Sequence, residues 1–150
     1  MIQGAPSPPS LALLRVAKQG VPMIYQEQEV GSYDYFRRMF WARRRLPELC
    51  RGTADYTGVR APDGVFAVLR TLGGSHVVGL VNLSAQPVEG EVTLPGGVIP
   101  AAGTTLHDAI TGRELAVTGR RFTWRLEPYG CAALRIGRPQ EGQMPAERHR

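Results

Sequence analysis

Two glutamates, Glu27 and Glu29, stand two residues apart in the run Gln26-Glu27-Gln28-Glu29. On an extended segment residues at this spacing project to one side. The pair therefore has the residue types that acid–base hydrolysis uses, one carboxyl ionised and the other held protonated. The competing and favoured reading is a polar loop whose carboxylates hydrogen-bond to nearby backbone. His76, His107 and His149 are scattered without ligand or nucleophile spacing, and no Gly-x-Ser-x-Gly motif accompanies them. Cys50 and Cys131 belong to no CxxC or Cys/His pattern, so neither a metal nor a cofactor is expected. The two thiols either pair, if the fold brings them together, or serve as small apolar side chains.

Positive charge is the other chemical signal. The chain carries a formal +5, and the excess gathers between residues 37 and 51, where Arg37, Arg38, Arg43, Arg44, Arg45 and Arg51 face only Glu48. Such a cluster can contact phosphates, but no nucleic-acid-binding motif accompanies it, and the aromatic residues nearby fall within an apolar helical stripe. A solvated helix face is the better reading, and nucleic acid is not expected as a partner.

The elements that would carry these residues change character along the chain. Ser10 can cap a helix over 11–18, which Gly20 ends, and the apolar run 21–25 reads as a buried strand of a parallel sheet. A second helix is predicted from Ser32 or Asp34 to Arg45, with Phe36, Met39, Phe40 and Arg43 on one stripe and Pro47 as its stop. The segment 50–62, with Gly52, Gly58 and Pro62 and no periodicity, reads as irregular and as a domain boundary.

Beyond it, short β-type runs alternate with turn signals, in keeping with 18 Gly and 12 Pro. Strands are predicted over 65–70, 76–83, 90–94, 104–109, 114–117, 121–126 and 131–136. In the sixth, Phe122, Trp124 and Leu126 alternate with Thr123 and Arg125, as one buried face requires. The fold class predicted is mainly β: an antiparallel sandwich of Greek-key type over 59–137, preceded by 1–58 and followed by a polar tail, 138–150. The run 11–17 is too short to cross a bilayer, which takes roughly 20 apolar residues, and the first ten residues have no signal-peptide pattern. A soluble chain with no membrane partner is expected.

The run from Gly20 to Gly31, Gly-Val-Pro-Met-Ile-Tyr-Gln-Glu-Gln-Glu-Val-Gly, resembles the Gly-x-Pro-x-x-Tyr-x-Gly-x-Glu-x-Gly pattern of glycoside hydrolase family 13, the α-amylase family. It matches at Gly20, Pro22, Tyr25, Glu29 and Gly31, and departs at Glu27, where the family has Gly. Residues 36–52, with Arg43 and Pro47-Glu48-Leu49, are similar to the family's last barrel helix. Asp63 to Arg70, Val81-Asn82-Leu83-Ser84 and Leu126-Glu127-Pro128-Tyr129-Gly130 are similar to its C-terminal sandwich.

The resemblance implies that 1–58 is the end of an incomplete α/β-barrel, two helices and one strand, and that the parent cleaves or rearranges α-glucosidic bonds by a retaining mechanism. It also implies that Gly20, Pro22, Tyr25, Glu29, Gly31 and Arg43 are structural, because the family's catalytic Asp, Glu and Asp lie on earlier barrel strands that this sequence does not contain. No catalytic residue is expected here, and α-glucan or maltooligosaccharide would be met through an upstream barrel. Trp41, Trp124 and Tyr129 could stack on sugar rings, although alternation places Trp124 in the core. The alternative is a stand-alone sandwich module that binds carbohydrate or protein.

Overall fold

The computed structural model describes residues 33–137. The helix predicted over 11–18, the strand over 21–25, the motif residues Gly20 to Gly31 with Glu27 and Glu29, His149 and the tail lie outside the described residues.

Helix α1 (Tyr33–Arg45) carries Asp34 in its first turn and Arg43, Arg44 and Arg45 in its last, a distribution that complements the helix dipole. Phe36, Met39 and Ala42 are buried and Phe40 and Arg43 half-buried, so the predicted stripe is the packed face. Pro47 does more than stop this helix. Leu46, held extended before the proline ring (φ −109°, ψ 90°), breaks the path. Pro47 then occupies the first turn of a second helix, α2 (Pro47–Arg51), where its missing N–H costs nothing.

At Gly52 the chain turns out of α2. A Cβ there would lie 2.4 Å from the Glu48 carbonyl oxygen and 2.7 Å from that of Thr71, so only glycine fits. The segment expected to be irregular instead continues into strand β1 (Thr53–Asp55), which pairs antiparallel with β2 (Val65–Leu72). Three residues are too few to show an alternation, which is why the sequence does not reveal this strand.

Six further strands follow: β3 (Ser75–Asn82), β4 (Val88–Thr93), β5 (Thr104–Asp108), β6 (Glu114–Val117), β7 (Arg121–Leu126) and β8 (Cys131–Ile136). All pairings are antiparallel, in a six-stranded sheet β1-β2-β3-β8-β5-β6 and a two-stranded sheet β4-β7. The chain leaves β3 for β4 and returns from β7 to β8, so the β4–β7 pair nests inside the β3–β8 pair. This is the Greek-key type of sandwich expected. β2 and β3 join through Gly73-Gly74, with Gly73 at φ 55°, the left-handed geometry a two-residue hairpin loop uses.

The central sheet is covered on both faces. Leu69, Val78, Leu80, Ala132 and Leu134 pack with Phe122, Trp124 and Leu126 of β7 in the sandwich interior. The alternate residues Val68, Val77, Val81 and Ala133 pack against Phe36, Met39, Leu46 and Leu49 of the helical layer. Two-sided burial is why Val77 to Val81 reads as one apolar run. β7, with one face in solvent, alternates strictly.

Candidate functional site

The polar groups at the helix–sheet junction are largely engaged in holding backbone. Arg43 Nη1 donates to the Leu49 carbonyl at 2.7 Å, and Cys50 Sγ donates to the Arg43 carbonyl at 3.2 Å, so the two helices are stapled together. Arg43, the described member of the motif set, thus bridges α1 and α2. The buried Arg70 donates from Nη2 to the Gly52 carbonyl at 2.9 Å. Loss of solvent around this guanidinium pulls its pKa down.

Glu48 is fully buried on α2. Its Oε1 accepts from the Ser75 hydroxyl and lies 3.3 Å from Arg135 Nη2, while its Oε2 has no hydrogen-bond partner among the described residues. Ser75 and Arg135 lie on strands whose alternation puts both on the helix-covered face. No local motif joins Glu48 to Arg135, so sequence reasoning had no signal for this pair.

Several other described carboxylates are committed elsewhere. Asp108 Oδ1 accepts from the backbone N–H groups of Ile110 and Ala133, each at 3.1 Å, and Oδ2 from the Thr111 hydroxyl at 2.6 Å. Asp55 Oδ1 accepts from Thr57 N at 2.9 Å and Gly58 N at 3.0 Å, and these backbone donors hold its pKa below the usual carboxylate range. On the solvent face of the small sheet, Arg121 lies 3.9 Å from Glu91, and Arg125 lies 3.9 Å from Glu89 and 3.1 Å from Glu127.

Among the described residues no three His, Cys, Asp or Glu side chains gather as a metal site, and no helix is long and apolar enough to cross a membrane. Both cysteines are free. Burial, with Asp108 nearby, pushes the Cys131 thiol up to about 12, so it is no thiolate nucleophile at neutral pH. His76 Nδ1 faces the Thr71 hydroxyl at 3.0 Å and His107 Nδ1 faces Glu114 at 3.2 Å, local contacts on strands.

Trp124 is buried with the Arg113 guanidinium 4.4 Å from its ring centroid. Trp41 is 48% exposed, with the guanidinium carbons of Arg44 and Arg45 at 5.4 and 5.6 Å from its centroid. Tyr129, 39% exposed, holds φ 52° in the turn closed by Gly130 N donating to the Glu127 carbonyl at 2.8 Å. Two adjoining clefts lie beside α1. One, about 470 Å³, is lined by Asp34, Arg37, Arg38, Trp41, Arg45, Ala109 and Ile110. The other, about 350 Å³, shares Arg38 and Ile110 and reaches Arg113, Trp124 and Cys131. Asp108 and Glu127 also line the second cleft, but Asp108 is engaged by the Ile110 and Ala133 backbone and the Thr111 hydroxyl, and Glu127 by Arg125.

This fold has solved counterparts. The α-amylase of Geobacillus thermoleovorans, in complex with acarbose, superposes with a TM-score of 0.70 at 15% identity, over 88% of this chain and 34% of that one. A noncanonic maltogenic α-amylase, AmyB of Thermotoga neapolitana, gives 0.66 at 14%, over 87% and 37%. No family model matches the sequence. In class, the chain shares the fold of a part of these α-amylase structures, about a third of their length. The sequence similarity runs to a particular relative, neopullulanase 2 of Thermoactinomyces vulgaris, with 26% identity over 119 residues. That match takes in 78% of this chain and one fifth, 20%, of the relative's length.

Proposed function

We propose that the chain forms the C-terminal part of an α-amylase-type glycoside hydrolase, is non-catalytic by itself, and supports an upstream catalytic barrel by gripping its last helix. One observation carries this reading. The helical layer buries Phe36, Met39, Leu46 and Leu49 on the outer face of the large sheet, through Val68, Val77, Val81 and Ala133. Burying such side chains contributes about 1.5–3 kcal/mol each, so the sandwich acts as a clamp on the helices. In this reading residues 1–58 are the barrel's end and 59–137 the supporting domain.

In this reading the parent cleaves or rearranges α-1,4 or α-1,6 glucosidic bonds through a covalent glycosyl-enzyme, with α-glucans or maltooligosaccharides bound by the barrel. The described carboxylates support a non-catalytic role, since Asp108, Asp55 and Glu48 already serve backbone or ion-pair contacts. The test removes residues 59–137 from the full-length enzyme and follows its melting temperature and maltooligosaccharide hydrolysis. A large loss of stability is expected, with activity lost in parallel. An unchanged melting temperature would contradict the supporting role.

A further inference from the structure

We propose that the outer face of α1 is a docking surface for a carboxylate-rich protein segment, a role separate from clamping the barrel. The buried stripe of α1 leaves Arg37, Arg38, Trp41, Arg44 and Arg45 exposed on the opposite face, with Trp41 among them. Positions 37, 41 and 45 recur at helical spacing, and 38 and 44 flank them, so cations surround one half-exposed indole. Arginine and tryptophan are the residue types that most often dominate binding energy at interfaces.

Among the described residues, no carboxylate forms an ion pair with Arg37, Arg38, Arg44 or Arg45, whereas Arg121 and Arg125 on the small sheet both meet glutamates. Among the described residues, Asp34 is the one acidic group in the cleft that Arg37, Arg38 and Arg45 line beside Ala109 and Ile110. Arg44 and Arg45 are also ordered by cation–π contact with Trp41, which lessens the side-chain entropy they would lose on pairing.

The geometry favours carboxylates over nucleic acid. Guanidinium edges pair with carboxylates and phosphates alike in forked, two-point hydrogen bonds, so the shape of the recess discriminates between them. A recess beside a helix is not a ridge that enters a duplex groove. Apolar Ala109 and Ile110 give the cleft a floor for short side chains between the charges.

The experiment follows fluorescence anisotropy of a labelled glutamate-only oligopeptide, and separately of duplex DNA of arbitrary sequence, with the 150-residue chain. Binding of the peptide is expected at low salt, weakening at physiological salt. The Arg38→Gln/Arg45→Gln pair and Trp41→Ala should each weaken it about tenfold, an Arg38→Lys/Arg45→Lys pair should weaken it less, and Arg121→Gln/Arg125→Gln should leave it unchanged. Circular dichroism checks that each variant is folded. Equal losses in the Arg121/Arg125 control, or no peptide binding at low salt, would overturn the assignment. Tighter binding of DNA through Arg38 and Arg45 would overturn the choice of carboxylates.

Discussion

Arg135 Nη2 sits 3.3 Å from Glu48 Oε1, joining the short second helix to the last strand of the large sheet. The Glu48 side chain is 1% exposed and that of Arg135 13%. Removing one member of a buried pair leaves a stranded charge, at a cost of about 3–5 kcal/mol, whereas replacing both with apolar groups can be neutral. Glu48→Leu and Arg135→Met should each lower the urea midpoint strongly, and the double variant should recover most of the loss. Additive losses in the double-mutant cycle would show that the two groups are not coupled.

Gly52 marks the exit from the helical layer. Gly52→Ala puts a methyl group against the Glu48 and Thr71 carbonyls, so the backbone must shift and the Arg70 bond to the Gly52 carbonyl must lengthen. Destabilisation by about 1–3 kcal/mol is expected, read as a lower melting temperature. Gly97→Ala, where an added methyl meets open space, serves as the comparison.

Thiol reactivity separates the two cysteines. With its thiol pushed up to about 12, Cys131 stays protonated in the folded chain at pH 8, while Cys50 is exposed. Ellman's reagent should titrate one thiol in native protein and two after denaturation. Because the folded value lies above the ordinary thiol value of 9.0, the unfolded chain sheds this proton first. Stability attributable to the group is full below about pH 9 and falls as pH rises towards about 12, by at most about 1.4 kcal/mol per pH unit. Two thiols reacting at equal rates in the native protein would contradict the placement of Cys131.

Asp55 runs in the opposite sense. Its folded pKa is lowered by the Thr57 and Gly58 backbone donors, so its contribution is present above the unfolded carboxylate value and is lost as pH falls through the folded one. Asp55→Ala should therefore destabilise the chain at pH 7 and have a smaller effect at pH 2. Thermal melts at the two values check this, and an equal effect at both would assign the loss to the turn alone.

Much of this architecture was legible because burial leaves a period. Strand β7 announced itself by alternation, and α1 by the Phe36, Met39 and Phe40 stripe. β1 and α2 were not legible: one is three residues long and the other five, too short for either period, and Pro47 reads equally as a stop or a start. Strand order was not written locally either, since β3 pairs with β8 from the far end of the chain. For the candidate site, the arginine cluster was visible as composition. That Arg43 turns inward to Leu49 while its neighbours face solvent depends on tertiary packing.

The central claim is that this sandwich works as the tail of a larger amylase-type polypeptide. An immunoblot of native cell extract with an antibody against residues 59–137 tests it most directly. The account predicts a band several times larger than 16.4 kDa, the mass of the 150-residue chain. A single band at 16.4 kDa would contradict it and point to a stand-alone module.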